Sequence, residues 1–495
     1  MDSSDKYGFM STEAQVFLVT FLVSAGLIRV VKSLTPSHAP PGPWGVPVLG
    51  TLPFFGKEPN VTFTEMWQKY GNVFSIKLGS WPAIVVNGAD AIREALVEKG
   101  DIFSSRPRFF TTSFSKGTSV SFSEFTDNYK FHRRNALGAL SMFANAKKNP
   151  IESIVHDEVD FVVKSFKKHG EKPFNPHEYI FIAAGSVIYQ ICYGVQEDVR
   201  DNKDFVEFIL NVKKFTNFVS AGNPFDALPW LRFFMREKYH QFLNLLSLSK
   251  HQRMKMIKEH EDTYQETDIR DVTDRLLQLS NRGHLDKETL QTTLADFFGA
   301  GFVTIATTTE WTLLLMAAHP EVQDKVQAEI DEVVGRERKP GLADRGKMTY
   351  TEAVIHESMR LTSISPLAIP HMAMEDTWLQ GYHIKKGTVA FINLYSMSQD
   401  KKVWGDPEVF RPERFLDESG QIRQSLLGEF LPFSAGRRRC LGEFLARMEV
   451  FLLITGMLQK YRLQKPADLD KYSLEATFGL VRMPKPFQIV ASPRY

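Results

Sequence analysis

The sequence predicts a mainly α fold with a small β region, carried on one N-terminal transmembrane anchor helix. Three observations lead there. Apolar residues recur at helical spacing through most of 150–285, along 290–318 and again over 443–461. Runs with strand character are few and short, chiefly 73–78 and 83–87. Residues 14–28 carry no charge and are mostly apolar.

Composition narrows the function. The chain has 495 residues, 43% hydrophobic and 12% aromatic, ample for a large buried core. Its 60 Lys and Arg balance 58 Asp and Glu, which gives nucleic-acid binding no support. Two cysteines, Cys192 and Cys440, cannot build a disulfide framework, and no Cys-x-x-Cys pair suggests zinc. Cys192 sits in the apolar run 187–193 and reads as core. The bulk of the chain therefore faces a reducing compartment.

Taken in order, residues 1–32 read as the membrane anchor. The uncharged stretch is shorter than the ~20 residues of a usual span. Val30 and Val31 extend it, and Arg29 and Lys32 can snorkel to the interface. Asp2, Asp5 and Glu13 precede it and the basic pair follows, so the rest of the chain falls on the cytosolic side. A cleaved signal peptide is the competing reading, and the acidic start argues against it. Residues 33–47, with Pro36, Pro40, Pro41, Pro43 and Pro47, form a stiff hinge, and 48–495 the body. Asn60-Val61-Thr62 matches a glycosylation sequon that a cytosolic body leaves unmodified.

Within the body, the strands at 73–78 and 83–87 flank a Gly-Ser-Trp-Pro turn, and 89–98 reads as a short helix. The Phe-rich loop 103–125 has little periodicity. Phe205, Phe208, Ile209, Val212 and Phe215 make a helical stripe that Gly222-Asn223-Pro224 breaks. The long central helix holds Ala300-Gly301-Phe302-Val303-Thr304. Gly299 and Gly301 each cost it about 1 kcal/mol, so some use for the missing side chains is expected. Glu357 and Arg360 share a helix face at i,i+3. Residues 365–371 leave that helix toward a hairpin around Lys385-Lys386-Gly387.

The most informative stretch is Phe433-Ser434-Ala435-Gly436-Arg437-Arg438-Arg439-Cys440-Leu441-Gly442. Cys440 falls at the start of the last long helix, where the macrodipole and neighbouring guanidinium groups favour thiolate. A thiolate so placed can be a nucleophile, a redox sulfur or a metal ligand. The plain alternative is a buried structural cysteine.

The spacing Phe433-x-x-Gly436-x-Arg438-x-Cys440-x-Gly442 matches the haem-binding signature of the cytochrome P-450 superfamily. The chain resembles that superfamily from about residue 40 to 493, and most of all its animal microsomal group with steroid hydroxylases and aryl-hydrocarbon hydroxylases. The resemblance makes 48–495 a haem-thiolate catalytic domain. It implies that Cys440 is the axial ligand of haem b iron, whose bonded sulfur favours O–O cleavage. It further implies a turn at Gly436, a close approach to the porphyrin at Gly442, and shielding of the sulfur by Phe433. Arg133, Arg438 and His371 would hold the haem propionates, with Tyr129 standing where the family has tryptophan. Lys130 and Arg134 would face an acidic redox partner. Ala300 and Gly301 would widen the central helix over the iron, and Thr304 would help deliver protons. Val303 replaces the usual acidic residue. Glu357, Arg360 and Arg414 would form a buried structural network. Phe109, Phe110, Phe114, Phe122, Phe302, Leu367, Ala368, Ile369, Phe478 and Leu480 would line the substrate pocket.

The implied activity is insertion of one atom of dioxygen into a small hydrophobic substrate: a steroid, a fatty acid or an aromatic xenobiotic. Electrons would come from NADPH through a membrane NADPH-cytochrome reductase, with a cytochrome b-type donor as a second source. The expected location is the endoplasmic reticulum membrane, single-pass, with the catalytic domain in the cytosol. Two alternatives stay open. Val303 motivates a haem-thiolate isomerase or dehydratase that acts on a peroxide without a reductase. The other is a haem electron carrier or gas sensor.

Overall fold

The computed structural model describes Thr20 and residues 38–79, 81–145, 150–194, 199–219 and 223–495. The expected anchor and the first part of the hinge, to residue 37, lie outside the described residues apart from Thr20. Residues 38–47 are fastened to the body rather than free. The Ser75 amide donates to the Pro41 carbonyl at 2.6 Å, and the His383 amide to the His38 carbonyl at 2.8 Å. A Cβ on Gly42 would lie 2.0 Å from the Ser75 carbonyl oxygen, so only glycine fits that approach.

Among the described residues, twelve helices of ten residues or more carry the fold. They are α1 Pro59–Tyr70, α2 Asp127–Asn145, α3 Pro150–Lys167, α4 His177–Tyr193, α5 Lys203–Phe218 and α6 Arg236–Thr263. Then come α7 Val272–Asn281, α8 Lys287–Gly301, α9 Val303–Ala318, α10 Pro320–Val333, α11 Thr349–Thr362 and α12 Glu443–Lys460. Side-chain caps start several of them. Asn202 caps α5, Asp271 α7 and Asp286 α8, each accepting from backbone N–H groups that have no partner within the helix. Pro320 opens α10, where its missing N–H costs nothing.

The expected central helix is α8 followed by α9. It breaks at Phe302, whose backbone (φ −109, ψ −39) interrupts the ladder between them. Lys287–Ala318 has the length to cross a membrane and an 18-residue window of mean hydropathy 1.2, but 83% of that window is buried inside the protein. It is a core helix, apolar nearly all round because α4, α11 and α12 pack about it.

Among the described residues the β region is one four-stranded sheet with three small pairs beside it. β1 Val73–Leu78 and β2 Trp81–Val86 are antiparallel, β6 Val389–Ile392 runs parallel to β2, and β3 His371–Met372 closes the edge. The hairpin expected around Lys385-Lys386-Gly387 does not form. β4 Thr377–Leu379 pairs with β5 Tyr382–Ile384 instead, turning through Gln380 and Gly381, both at positive φ (49 and 79). Two consecutive left-handed residues make the tight turn whose twist suits a hairpin. Residues 385–387 only carry the chain across to β6. The short helix expected over 89–98 is present, and its second half widens into a π turn, Glu94–Glu98. Asn60 is buried in α1, which closes its sequon to modification.

Candidate functional site

The segment before α12 makes a sharp turn that brings Cys440 to face inward. Ser434 and Gly436 have φ of 60 and 69, and the Cys440 amide donates to the Phe433 carbonyl at 2.9 Å. A Cβ on Gly436 would lie 1.8 Å from the Leu96 carbonyl oxygen of the π turn, so this position demands glycine twice over. Gly442 is different: a Cβ there would meet only Leu140, at 4.0 Å. No protein atom explains that glycine. Phe433 lies under the Arg447 guanidinium, 4.8 Å from the ring centroid.

Cys440 has an accessible face, yet enough protein surrounds it for burial to raise its thiol pKa. That face therefore opens into an interior void. The expectation that the protein alone favours thiolate is not met. Burial outweighs the Gly442 amide and the charges of Arg133 and Arg439, and Glu443 adds to the rise. A bound metal ion inverts that balance, because a coordinating thiol gives up its proton.

Three cations gather at the edge of the same region. The buried Arg438 donates to the Ser104, Val120 and Ser123 carbonyls at 2.7, 3.2 and 2.5 Å. Arg106, also buried, donates to Ser121, Ile369 and Pro370. Arg133 donates to the Arg439 carbonyl. Burial, followed by the charge of Arg438, holds the Arg106 pKa well below its ordinary value, and burial brings Arg438 down to about 10. Among the described residues no carboxylate is hydrogen-bonded to any of the three. Buried guanidinium groups without an anion are costly, so the donor set fits a group that brings its own carboxylates, as the two propionates of haem do. Tyr129 stacks on Arg438, ring centroid to guanidinium 3.7 Å. Its buried hydroxyl lies near that guanidinium without a well-formed hydrogen bond. Arg106 was missed in the sequence. Its only local sign is a lone arginine between serine and proline.

His371 differs from the expectation. Its Nδ1 lies 2.7 Å from the Phe103 carbonyl and so donates, which leaves Nε2 of the neutral ring as an acceptor. Burial and then the charge of Arg106 hold its pKa well below the ordinary value. The ring can grip an anion only after taking a second proton.

Across the void, Ala300 is exposed and Thr304 half-buried, while Phe302, Val303 and Ile305 are buried. Thr304 donates to the Ala300 carbonyl at 2.8 Å. Thr304, Thr308 and Phe433 line one cavity of about 540 Å³ of atom-free space, which places the central helix and the cysteine segment on one chamber. Gly301 turns the other way: a Cβ there would lie 2.7 Å from Ile188 of α4, so its missing side chain serves helix packing.

A second cavity, the slot, takes in about 560 Å³ of atom-free space, part of it open to solvent. Phe109, Phe122, Leu367, Ala368, Ile369, Phe478 and Leu480 line it. Three of the expected pocket residues do not. Phe302 is fully buried against Phe298 and Phe181 at 5.4 and 6.2 Å, because two helical residues turn it about 200° from Ala300. Phe110 packs among Phe225, Tyr239 and Phe242, and Phe114 lies on Phe215 at 5.4 Å.

Behind the cysteine segment, Arg360 Nε and Nη2 donate to the two Glu357 oxygens at 2.7 and 2.8 Å, with both residues fully buried. Arg414 Nε adds a third bond at 3.0 Å. Arg360 Nη1 continues to the Ser398 carbonyl and Arg414 Nη1 to Trp404. The group ties α11 to the segment that precedes Cys440.

A helical body closed on a void, with one accessible cysteine below and three anionless arginines at the rim, defines a haem-thiolate protein. Comparison agrees. The Cytochrome P450 family model matches residues 40–491. Cytochrome P450 1A1 of Cavia porcellus is 37% identical over 91% of this chain and 92% of its own length. The protein of the same name from Homo sapiens is 35% identical, with 95% of each chain covered, and that from Rattus norvegicus 34%, with 96% and 95% covered. The chain belongs to the cytochrome P450 family. Its cofactor is haem b, and it is a membrane-associated monooxygenase that uses dioxygen, a hydrophobic substrate and electrons from NADPH through a cytochrome reductase. These relatives favour neither the peroxide-rearranging reading nor the carrier reading.

Proposed function

We propose that this monooxygenase oxidises flat, apolar aromatic molecules held in the slot between Phe109, Phe122 and Phe478. The observation that carries the reading is the apolar, ring-bearing wall of that slot, Phe109, Phe122 and Phe478 with Leu367, Ile369 and Leu480. Ring faces and edges pair best with other rings. The slot's polar groups are largely engaged by the protein itself. Asp226 accepts from the Thr111 amide and hydroxyl at 2.7 Å each, and Arg106 is turned to carbonyls.

In this reading Cys440 binds the iron, and Phe433 and Arg447 screen the sulfur. Arg106, Arg133 and Arg438 hold the propionates, while His371 takes a proton and joins them. Bound there, the haem supplies activation of dioxygen. Ala300 leaves space beside Thr304, and the Thr304 hydroxyl holds a proton at the edge of the void. Glu357, Arg360 and Arg414 fix the cysteine segment and take no part in the chemistry. The chain sits in the endoplasmic reticulum membrane through residues 1–32 and faces the cytosol, where the reductase, or a cytochrome b-type donor, meets Lys130 and Arg134.

The test is a binding-spectrum panel on the haem-loaded protein. Naphthalene and pyrene are expected to displace the iron's distal water at concentrations at least tenfold lower than progesterone or lauric acid do. Equal or tighter binding of progesterone would remove the aromatic assignment.

A further inference from the structure

The reaction oxidises NADPH by two electrons, places one oxygen atom in the substrate and releases the other as water. Two protons must therefore reach a void lined mainly by apolar groups. On the slot side the carboxyls of Asp226 and Asp296 are bonded inward, to Thr111 and to Ser119 and Val120. The opposite side of α9 is built differently.

There a charged line runs inward from the surface. Lys213 on α5 donates to His177 Nε2, and His177 Nδ1 lies 2.5 Å from Glu310 Oε1. This arrangement fixes the tautomer: the ring accepts at Nε2 and donates at Nδ1. A proton that arrives at the outer nitrogen can leave from the inner one. His177 and Lys213 are half-buried at the rim, while the Glu310 side chain is only 2% exposed. Burial raises the Glu310 pKa against the lowering by His177 and Lys213, which are the charged groups that face it from α4 and α5. A buried acid so poised can carry a proton and release it.

Beyond Glu310 the line has two free ends. Glu310 Oε2 and the Thr307 hydroxyl are buried and have no hydrogen-bond partner. Thr304, Thr308 and Thr312 each donate to the carbonyl four residues earlier, but Thr307 does not. Thr304, Thr307 and Glu310 follow one another at i, i+3 and i+6, and successive members of such a row stand about 5–6 Å apart at Cβ. A relay along this row requires one bridging water in each gap.

We propose that Glu310 is the proton source of this enzyme, loaded from solvent through Lys213 and His177 and discharging through Thr307 to Thr304. The proposal rests on the reading of Thr304 as the hydroxyl that holds a proton at the void. It gives the chain a proton entry that does not depend on position 303, where a buried valine stands. Glu310 acts through Thr307 and Thr304, so it is a relay residue rather than one that touches substrate.

The test uses haem-loaded enzyme with reductase, NADPH and naphthalene, reading hydrogen peroxide released per NADPH and the solvent deuterium isotope effect on NADPH use. Glu310→Gln is expected to keep the carbon-monoxide Soret band while at least tripling peroxide per NADPH and raising the isotope effect. Thr307→Val and the half-buried His177→Gln should move both readings the same way, and Glu310→Asp should recover part of the loss. Should Glu310→Gln not fold, His177→Gln carries the decision. Unchanged readings in whichever of these variants folds overturn the proposal. If Thr304→Val also leaves them unchanged, the Thr304 reading fails with it; if Thr304→Val raises them, only the Glu310 source is lost. A readout independent of turnover is the infrared carboxylic-acid band: one that titrates in the wild type and vanishes in Glu310→Gln supports a proton-bearing Glu310, and its absence overturns it.

Discussion

The two sides of the haem site are held by opposite means. On the cysteine side, position is fixed by backbone contact and paired charge. Gly436 sits against the Leu96 carbonyl, and Glu357 is shared by two guanidinium groups whose other donors meet carbonyls and, from Arg414, the Asp406 carboxylate. On the slot side, loops are held by rings, by carbonyls turned to Arg106 and Arg438, and by two single carboxyls, Asp226 on Thr111 and Asp296 on Ser119 and Val120. Burial pushes both of these up to about 6. The side that sets the iron's chemistry is overdetermined. The side that selects the substrate includes two holding groups that titrate.

Three experiments break or sharpen that contrast, in falling order of effect. Cys440→Ser should abolish turnover and the red-shifted Soret band of the reduced carbon-monoxide complex, while the melting temperature of the haem-free protein changes little. Retention of the band would falsify the assignment of the ligand. Arg360→Met leaves Glu357 buried with one partner fewer and should cost about 3–5 kcal/mol, read by denaturant unfolding. A loss under 1 kcal/mol, on the scale of a surface change, would show that the cysteine side is not overdetermined.

The smallest effect is a pH dependence on the slot side. The Asp226 carboxyl is raised to about 6 in the folded protein, against about 3.9 for an unfolded aspartate. Between those values the folded state binds more protons, so this group's contribution to stability is full below about pH 4 and lost as pH rises through 6. Asp226→Asn should flatten that decline, by on the order of 2 kcal/mol between pH 4 and 7, measured from melting temperatures across the range. A wild-type curve that runs parallel to the variant's over this window would remove the titrating clip.

What could be read from the chain beforehand follows the same division. The cysteine side was legible because its parts lie in short, fixed spacings: Phe433 to Gly442, and Glu357 with Arg360. The slot was legible only in part. Phe302 was placed in it although a helix turns it away from Ala300, an error that periodicity could have caught. Phe110 and Phe114 were lost to a cluster formed with α5 and α6, which no local pattern announces. Arg106 gains its place from carbonyls more than 260 residues away, and Glu310 from a histidine 133 residues upstream. Such partners exist only once the chain has closed.

The fastening of residues 38–47 sets how the enzyme can be aimed. Through Pro41 on Ser75 and His38 on His383, this stretch is stitched to both the main sheet and the β4–β5 hairpin. These two main-chain bonds join residues 38–41 to the body at two separate places. Extra residues spliced in ahead of that point should therefore leave both bonds, and the melting temperature of the body, as they are.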